Sequence, residues 1–347
     1  MQNVTDTTLI ASIDPKNTYA STEELVAQCK AAWSEVNDLS VSLNIEKIKN
    51  IVFCGMGASI NGALVAKSLM GREFSYPSEI VTDYHIPAYS NEETLVVLTS
   101  YSGSTEEVLS CAEEAKAKNC QMLILTQGKQ LAHFASVNNV PAYIFTGLLN
   151  SSGVPRLGNG YTVLGLLGLL NKVGIITLEE KELSNALTRL EEKKEELRQK
   201  ALIDFELFEN KIPVVIASEH LSGNAQILRN QFNETSKTFS AFYLIPDLNH
   251  HLMEGLSFPT SNDLYFLTLN SPIYSPKNHK RTSLTQTVIE ENKRNNLVFT
   301  ASGQTVYDDF LEVLVYGSYL TLFLALRLDQ DPSVNPWVDW FKKELTA

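Results

Sequence analysis

Short runs that are apolar at nearly every position recur along the first half of the chain, and stretches with helical periodicity separate most of them. The apolar runs fall at residues 50–54, 80–82, 95–99, 122–125 and 142–145, and the helical patterns at residues 59–69, 105–117 and 129–137. Strands that are apolar on both faces belong in a parallel sheet that helices cover on each side. The alternation therefore predicts a doubly wound α/β domain with three layers.

A second alternation of the same kind follows in the other half of the chain. Its predicted strands lie at residues 213–217, 238–245, 264–269 and 297–301, with a helix at residues 222–232. Long helical patterns at residues 306–328 and 336–345 close the chain. We therefore predict two α/β/α domains, residues 1–178 and residues 179–347. The length of 347 residues agrees with that division at roughly 150 residues per domain.

Two polar segments of the second half receive simpler predictions. Residues 183–199 carry opposite charges three and four positions apart, which is typical of a solvated helix face. We interpret them as a helix that bridges the two domains. Residues 271–280 contain two prolines and no periodicity, and they predict an exposed loop.

The charge balance argues against a nucleic-acid partner. The chain has 28 Lys and Arg residues against 40 Asp and Glu residues, which gives a net charge of -12. Nucleic-acid-binding domains normally carry a basic footprint. A local site for an anionic small molecule remains compatible with this composition.

We expect a cytoplasmic protein without a membrane segment. The two most apolar stretches, residues 161–176 and 313–326, are shorter than the roughly 18 apolar residues of a membrane helix and predict core helices instead. Residues 1–20 lack the basic start and apolar core of a secretory signal. The four cysteines form no C-x-x-C pair, and we expect buried thiols rather than a metal site.

The first segment with possible chemistry is C-G-M-G-A-S at residues 54–59, which follows a predicted strand and opens a helix. Glycines let the backbone approach an anion, and a helix N-terminus offers free N–H groups. The third glycine of a dinucleotide fingerprint would fall at Ile60, and the lysine of a P-loop is missing. On its own the segment is as compatible with a plain strand-to-helix turn as with phosphate binding.

The second segment is S-Y-S-G-S-T at residues 100–105, which directly follows the apolar run at residues 95–99 and opens another helix. Its hydroxyls and backbone N–H groups suit a neutral cradle for phosphate, although a serine-rich helix cap has the same composition. In an open parallel sheet, ligands bind at the carboxyl ends of the strands near the switch point. Both segments are predicted to lie at that edge, which favours a shared anion site.

Together the two segments resemble the sugar isomerase (SIS) domain, which holds phosphosugars. Four more motifs follow in order: P-R-L-G at 155–158, N-E-T-S-K at 233–237, P-D-L-N-H-H at 246–251 and W-F-K-K-E-L at 340–345. The ordered set of six resembles the bifunctional phosphoglucose/phosphomannose isomerase family. The resemblance implies two SIS-type three-layer domains with parallel, doubly wound, flavodoxin-like sheets. It departs from the family pattern at Ala58, where a glycine is usual, and at His251, where an asparagine is usual.

The resemblance also assigns a role to individual residues. Arg156 would stabilise an enediolate, Glu234 would carry the proton between C1 and C2, and His250 and Lys342 would assist ring opening. The residues implied to hold the substrate phosphate are Gly57, Ser59, Ser100, Ser102 and Thr105.

The implied reaction is the reversible isomerisation of glucose 6-phosphate, and of mannose 6-phosphate, with fructose 6-phosphate through a cis-enediolate. One carboxylate suffices as base and then acid, and a guanidinium suits the developing negative charge. Histidine is suited to moving a proton near neutral pH during ring opening. We expect no cofactor and no metal for this chemistry.

The expected partner is a phosphorylated hexose, together with a second copy of the chain. The resemblance implies a homodimer in which His250 enters the neighbouring subunit's site. Two alternatives stay open at this stage. One is a regulatory SIS protein that binds sugar phosphate without turnover, and the other is an amino-sugar-phosphate isomerase or deaminase.

Overall fold

The apolar runs of the first half pair as parallel strands in a computed structural model, which describes residues 4–261 and 263–345. The strands are β1 (Asn50–Gly55), β2 (Ser78–Val81), β3 (Thr94–Ser100), β4 (Gln121–Thr126) and β5 (Ala142–Ile144). They lie in the order β2-β1-β3-β4-β5, which is the flavodoxin-like order of a doubly wound fold. Every residue of β3 is buried, as expected for a central strand with helices on both faces.

The second half forms another parallel sheet. Its strands are β6 (Ile212–Ser218), β7 (Ala241–Ile245), β8 (Leu264–Asn270) and β9 (Asn295–Thr300), in the order β7-β6-β8-β9. This order repeats the first four positions of the other sheet, and the predicted fold class is confirmed. Strand β7 begins later than the predicted residue 238, because Lys237 has a left-handed backbone (φ 55) and the Thr238 N–H still bonds the Phe232 carbonyl at 3.0 Å.

Helices cover both faces of the sheets and fill the space between them. They are α1 (Thr7–Ile13), α2 (Thr18–Glu23), α3 (Leu25–Asn37), α4 (Asn61–Met70), α5 (Glu106–Ala117), α6 (Lys129–Asn138), α7 (Gly165–Lys172), α8 (Glu180–Asp204), α9 (Ser222–Glu234), α10 (Pro276–Glu291), α11 (Val306–Arg327) and α12 (Pro336–Leu345). The predicted loop at residues 271–280 is wrong from Pro276 onwards, where α10 begins. Proline is tolerated in the first turn of a helix because its missing N–H would have no partner there.

The centre of the protein is α11, whose residues are buried almost without exception. It is long and apolar enough to cross a membrane, but its most apolar window is 100% buried inside the protein, as in a core helix. Helix α8 packs along it and also contacts α3. A single hydrophobic cluster therefore runs through both halves of the chain. The domain division at residues 178 and 179 stays a prediction.

The charges of α8 are less solvated than the sequence pattern indicates. Arg189 forms a two-pronged ion pair with the buried Asp308 at 2.7 and 2.8 Å, and Lys193 binds the buried Glu312 at 3.1 Å. Two basic residues of α8 thus neutralise acidic groups of α11. Buried carboxylates need such partners, because an unpaired charge in the interior is costly.

A close contact between α4 and α9 joins the two sheets. Gly223, in the first turn of α9, lies directly against the backbone of Leu64 in α4. The rest of α9 then runs back along α4, so that its C-terminal end comes to the start of α4, where the segment Gly57–Ile60 also contacts it. This packing brings Glu234, the last residue of α9, to the edge of the first sheet.

We expect Gly223→Ala to lower the free energy of unfolding by about 1–3 kcal/mol, as overpacking of a tight core does. The added Cβ would lie 2.7 Å from the Leu64 carbonyl oxygen and 2.8 Å from its carbon, and backbone atoms cannot rotate away. Helix propensity alone favours alanine over glycine by about 1 kcal/mol, so the two effects have opposite signs. Urea denaturation of both proteins measures the difference.

Gly255→Ala is the matched control, because a Cβ at Gly255 would meet nothing within 4 Å. Its free energy of unfolding should be close to that of the unaltered chain. A Gly223→Ala protein that is as stable as this control would contradict the close contact between α4 and α9.

Candidate functional site

The two serine- and glycine-containing loops meet at the carboxyl edge of the first sheet. They follow β1 and β3, which are neighbours in the sheet. Ser59 Oγ accepts a hydrogen bond from the Tyr101 N–H at 3.0 Å and so ties the loops together. The sequence placed both loops at this edge, and the structure brings them into contact.

The hydroxyl groups of the second loop lie close to one another. Ser100 Oγ is 2.7 Å from Thr105 Oγ1 and also accepts from the Gly103 N–H at 3.0 Å. Ser102 Oγ is 3.1 Å from Ser104 Oγ. The two pairs form a hydroxyl-rich cradle at the start of α5. Thr105 is the N-cap of that helix, and its side chain bonds Ser100 instead of capping the backbone.

Two glycines give the cradle its shape. Gly103 has a φ of +72, and a Cβ there would lie 1.8 Å from the Gly128 carbonyl oxygen, so only glycine fits the turn. Gly57 has a φ of +54 and nothing within 4 Å of its Cβ position. Its backbone is therefore open on the side from which an anion would approach.

Arg156 lies beside the cradle on the short helix Pro155–Leu157, which packs against Gly57–Ile60. The side chain is buried, and Nη2 donates to the Pro332 carbonyl. Arg156 Nε has no hydrogen-bond partner among residues 4–261 and 263–345. Burial lowers the pKa of the Arg156 guanidinium, and the neighbouring Glu234 and Asp331 oppose that shift. Arginine nevertheless remains charged in proteins, so the site holds a buried cation with an unused donor.

Glu234 reaches the same place from the second half of the chain. Its carboxylate is half-buried, and Oε2 accepts a hydrogen bond from Asn335 Nδ2 at 3.2 Å. Asn335 directly precedes α12, which carries Lys342. The Asp339 carboxylate of α12 also acts on the pKa of Arg156, and Lys342 follows it by three residues on the same helix face. The structure therefore brings Arg156, Glu234 and α12 together, and the helix of Arg156 packs against the Gly57–Ile60 loop.

His250 is the predicted site residue that the structure keeps away from this group. It is exposed at the end of the short helix Asp247–His250, which follows β7. Glu234 ends the helix that precedes β7, and His250 follows β7. In a βαβ connection the end of the helix and the end of the next strand lie at opposite ends of the strands. The five residues of β7 span about 16 Å at about 3.3 Å per residue. Within one chain, His250 and Glu234 therefore lie beyond opposite ends of β7. The neighbouring His251 pairs instead with Asp247, at 3.4 Å.

Sequence reasoning missed two residues of the site. Asn335 binds the Glu234 carboxylate, and Lys237 donates to the backbone carbonyl of Glu234 at 2.9 Å. Lys237 closes the N-E-T-S-K motif, which was the available signal for it. Asn335 stands before Pro336, a pattern that indicates a helix start but says nothing about a carboxylate partner.

The equivalent edge of the second sheet holds a carboxylate of its own. Glu219 follows β6 with a φ of 45, and its Oε1 accepts from the Ser275 N–H at 2.9 Å, from Ser275 Oγ at 2.6 Å and from Asn278 Nδ2 at 2.6 Å. Ser275 and Asn278 stand at the start of α10. The Glu219 carboxylate therefore occupies the N-terminus of α10, where a bound anion could otherwise lie.

Two domain families and several known proteins are similar to this chain. Residues 44–150 match the SIS domain, and residues 201–345 match the bacterial phospho-glucose isomerase C-terminal SIS domain. The chain is 25% identical over 345 residues to a bifunctional phosphoglucose/phosphomannose isomerase of Caldicellulosiruptor bescii, covering 94% of this chain and 98% of the relative. It is 27% identical over 328 residues to the protein of the same name from Aquifex aeolicus, covering 93% of this chain and 98% of the relative. The chain therefore carries two SIS domains, and the relatives that it resembles over nearly its whole length are bifunctional phosphoglucose/phosphomannose isomerases.

These matches confirm the resemblance drawn from the six ordered motifs and the prediction of an isomerase enzyme. The C-terminal match includes Glu234, His250 and Lys342, and the N-terminal match includes both loops of the cradle. A glucosamine-6-phosphate deaminase structure from Thermotoga maritima superposes with a TM-score of 0.67 at 17% identity, covering 91% of this chain and 97% of that one. At that identity the likeness shows the SIS fold alone. The roles of individual site residues stay predictions.

We expect Ser100→Ala combined with Ser102→Ala to weaken the binding of inorganic phosphate. A hydrogen bond to a charged group contributes about 1.5–3 kcal/mol, so losing two donors should raise the dissociation constant by about a hundredfold or more. Isothermal titration with phosphate measures this constant directly. Ser110→Ala, on the same helix α5 but outside the loop, is the control and should bind as the unaltered chain does. Equal affinity in all three proteins would place the anion elsewhere.

Proposed function

We propose that this enzyme interconverts glucose 6-phosphate, and mannose 6-phosphate, with fructose 6-phosphate. One observation carries the proposal: the Glu234 carboxylate and the buried Arg156, with its unused Nε donor, both bind residues 331–335, and the helix of Arg156 packs against the Gly57–Ile60 loop that is tied to the hydroxyl-rich cradle. The cradle suits the phosphate, and the acidic and basic pair suits a proton transfer next to a carbonyl.

Glu234 is the proposed base and acid. In the open-chain aldose it takes the proton from C2 and returns it to C1, while the hydroxyl proton of O2 passes to O1, which gives the ketose. The hydrogen bond from Asn335 to Oε2 fixes one oxygen of the carboxylate, which leaves Oε1 for the substrate. A base must lie within hydrogen-bond reach of the proton that it moves, and fixed carboxylate geometry serves this requirement.

Arg156 is the proposed stabiliser of the intermediate. When C2 loses its proton, negative charge moves to the carbonyl oxygen and a cis-enediolate forms. A buried guanidinium whose Nη2 is held by the Pro332 carbonyl keeps its orientation, and its Nε–H can donate to that oxygen. Preorganised donors aimed at developing charge are a large source of rate enhancement.

Ring opening is assigned to His250 of a second subunit, with Lys342 assisting from α12. The proposal rests on topology, because the chain's own His250 and Glu234 lie at opposite edges of the second sheet. A two-fold symmetric dimer would present each exposed 247–251 segment to the other subunit's site. Each dimer would then contain two composite sites.

We expect Glu234→Gln to lower kcat for fructose 6-phosphate by about 10²–10⁴-fold, the usual effect of removing a general base. The amide keeps the shape of the side chain but cannot accept the proton, and the cradle is untouched, so affinity for the phosphosugar should persist. A coupled assay that scores glucose 6-phosphate and mannose 6-phosphate separately gives both rates. Glu291→Gln is the matched control, since Glu291 is likewise the last residue of its helix but is exposed on α10.

Near-normal turnover of Glu234→Gln would remove this residue from the mechanism. If the unaltered enzyme binds fructose 6-phosphate but forms neither product, a regulatory sugar-phosphate-binding protein becomes the better description. Formation of an amino-sugar phosphate from fructose 6-phosphate and added ammonia would instead favour the deaminase class.

A mixing experiment tests whether His250 crosses between subunits. Glu234→Gln and His250→Ala are each inactive in this scheme, but in a mixed dimer one site receives an intact Glu234 from one chain and an intact His250 from the other. Unfolding and refolding the two variants together should restore up to about half of the wild-type activity within the mixed species. If His250 acts in its own chain, every site keeps one lesion and no activity returns. Light scattering must first show a dimer.

A further inference from the structure

The segment of residues 331–335, between α11 and α12, is fastened to the site at three points. Its Pro332 carbonyl accepts from Arg156 Nη2, and its Asp331 carbonyl accepts from Lys237 Nζ at 2.7 Å. Asn335 at its end donates to the Glu234 carboxylate at 3.2 Å. The position of the proposed base therefore depends on where this segment lies.

Lys237 joins the segment to the end of α9. Its Nζ donates to the carbonyls of Glu234 at 2.9 Å, Thr235 at 3.2 Å and Asp331 at 2.7 Å. An ammonium group has three N–H bonds, so these acceptors use all of them. The last carbonyls of a helix lack partners within the helix, and Lys237 supplies a donor there.

The backbone of Lys237 supports a specific use of its side chain. Its φ of 55 lies in the left-handed region, which favours glycine or asparagine over lysine. A glycine would adopt this conformation more readily, but it would leave the three carbonyls without their shared donor. The lysine side chain thus contributes three hydrogen bonds here that a glycine would not.

We propose that Lys237 is a positioning residue for the isomerisation: it clamps residues 331–335 to the end of α9 and so fixes Glu234 beside Arg156. This inference rests on the function proposed above. Lys237 does not need to touch the substrate, because it acts through Asn335 and through the carbonyl of Glu234 itself.

The clamp is sensitive to the charge of Lys237. Burial and the nearby Arg156 lower the pKa of Lys237 to about 8, while Asp331 and Glu234 act in the opposite direction. A neutral amine has only two N–H bonds, so one of the three carbonyls loses its donor above this pH. We therefore expect kcat to decline as the pH rises through about 8.

The titration of Lys237 does not itself destabilise the fold as the pH rises. Between the lowered pKa and the ordinary lysine pKa of about 10.4, the unfolded chain holds more protons at this residue than the folded chain. Stability rises with pH wherever the unfolded state binds more protons. Between these two pKa values, the contribution of Lys237 to the free energy of unfolding therefore rises with pH, although the clamp weakens there.

Lys237→Met tests the clamp, because methionine keeps an unbranched side chain without the donors. We expect kcat at pH 7 to fall by about tenfold to a hundredfold, as small misplacements of catalytic groups do, with KM for fructose 6-phosphate nearly unchanged. We also expect the decline near pH 8 to disappear. Lys293→Met is the matched control, since Lys293 follows α10 with the same φ of 55 but is exposed.

Lys237→Arg and hydrogen exchange separate the possible outcomes. Arginine stays charged, so this variant should recover part of the lost kcat and hold it above pH 8. Amide hydrogen exchange in the peptide spanning residues 329–336 should be faster in Lys237→Met than in Lys293→Met. This measurement does not depend on catalytic activity.

Wild-type kcat in Lys237→Met, or an unchanged alkaline decline in either Lys237 variant, would overturn the positioning role. If the methionine variant does not fold, the pH profile of the arginine variant decides in its place. An unaltered enzyme that forms no aldose product would instead refute the proposed function, and the exchange measurement would still report on the clamp.

Discussion

The backbone contact between α4 and α9 is the constraint on which the rest of the molecule depends. With hydrogen in place of a side chain at Gly223, the two helices approach until a single added carbon would meet the Leu64 carbonyl. Each helix is the first crossover of its own sheet, so one contact fixes both sheets relative to each other. Helix α9 also contacts the loop Gly57–Ile60, and its last residue, Glu234, acts on Arg156, whose helix packs against the same loop.

Both halves of the chain contribute residues to the candidate site. The first sheet supplies hydroxyls and open backbone at the ends of neighbouring strands, which is a general solution for holding an anion in an open α/β fold. The second half supplies a carboxylate at the C-terminal end of a helix and a segment that leads into α12. Arg156 stands between these contributions, with its guanidinium held by the Pro332 carbonyl of the second half. Each reacting group is therefore positioned by an element whose own place is fixed by packing.

The sequence predicts the sheets and the cradle well because both depend on local patterns. A run such as residues 95–99, apolar at every position but its last threonine, indicates a strand buried on both faces wherever it lies in the fold. The start of β7 and the helix α10 were harder, because a lysine in a left-handed turn and a proline in a first helical turn carry weak local signals. The contacts of Asn335 and Lys237 join residues about a hundred positions apart in sequence, and only tertiary packing brings them together. The opposite placement of His250 and Glu234 follows from the single strand between them, which the sequence predicts at residues 238–245.

Because of the Glu219 carboxylate, the two similar sheets differ in electrostatic potential at their switch points. Both sheets present a helix N-terminus at their switch point, but in the second sheet Ser275 and Asn278 already bind this internal anion. A phosphate dianion that approached there would meet a like charge, whereas at the first sheet it would meet hydroxyls and N–H groups. Two similar scaffolds in one chain thus differ in the ligand charge that they accept. In the proposed function only the first scaffold holds the phosphosugar, and the second contributes Glu234, residues 331–335 and α12 to the same site.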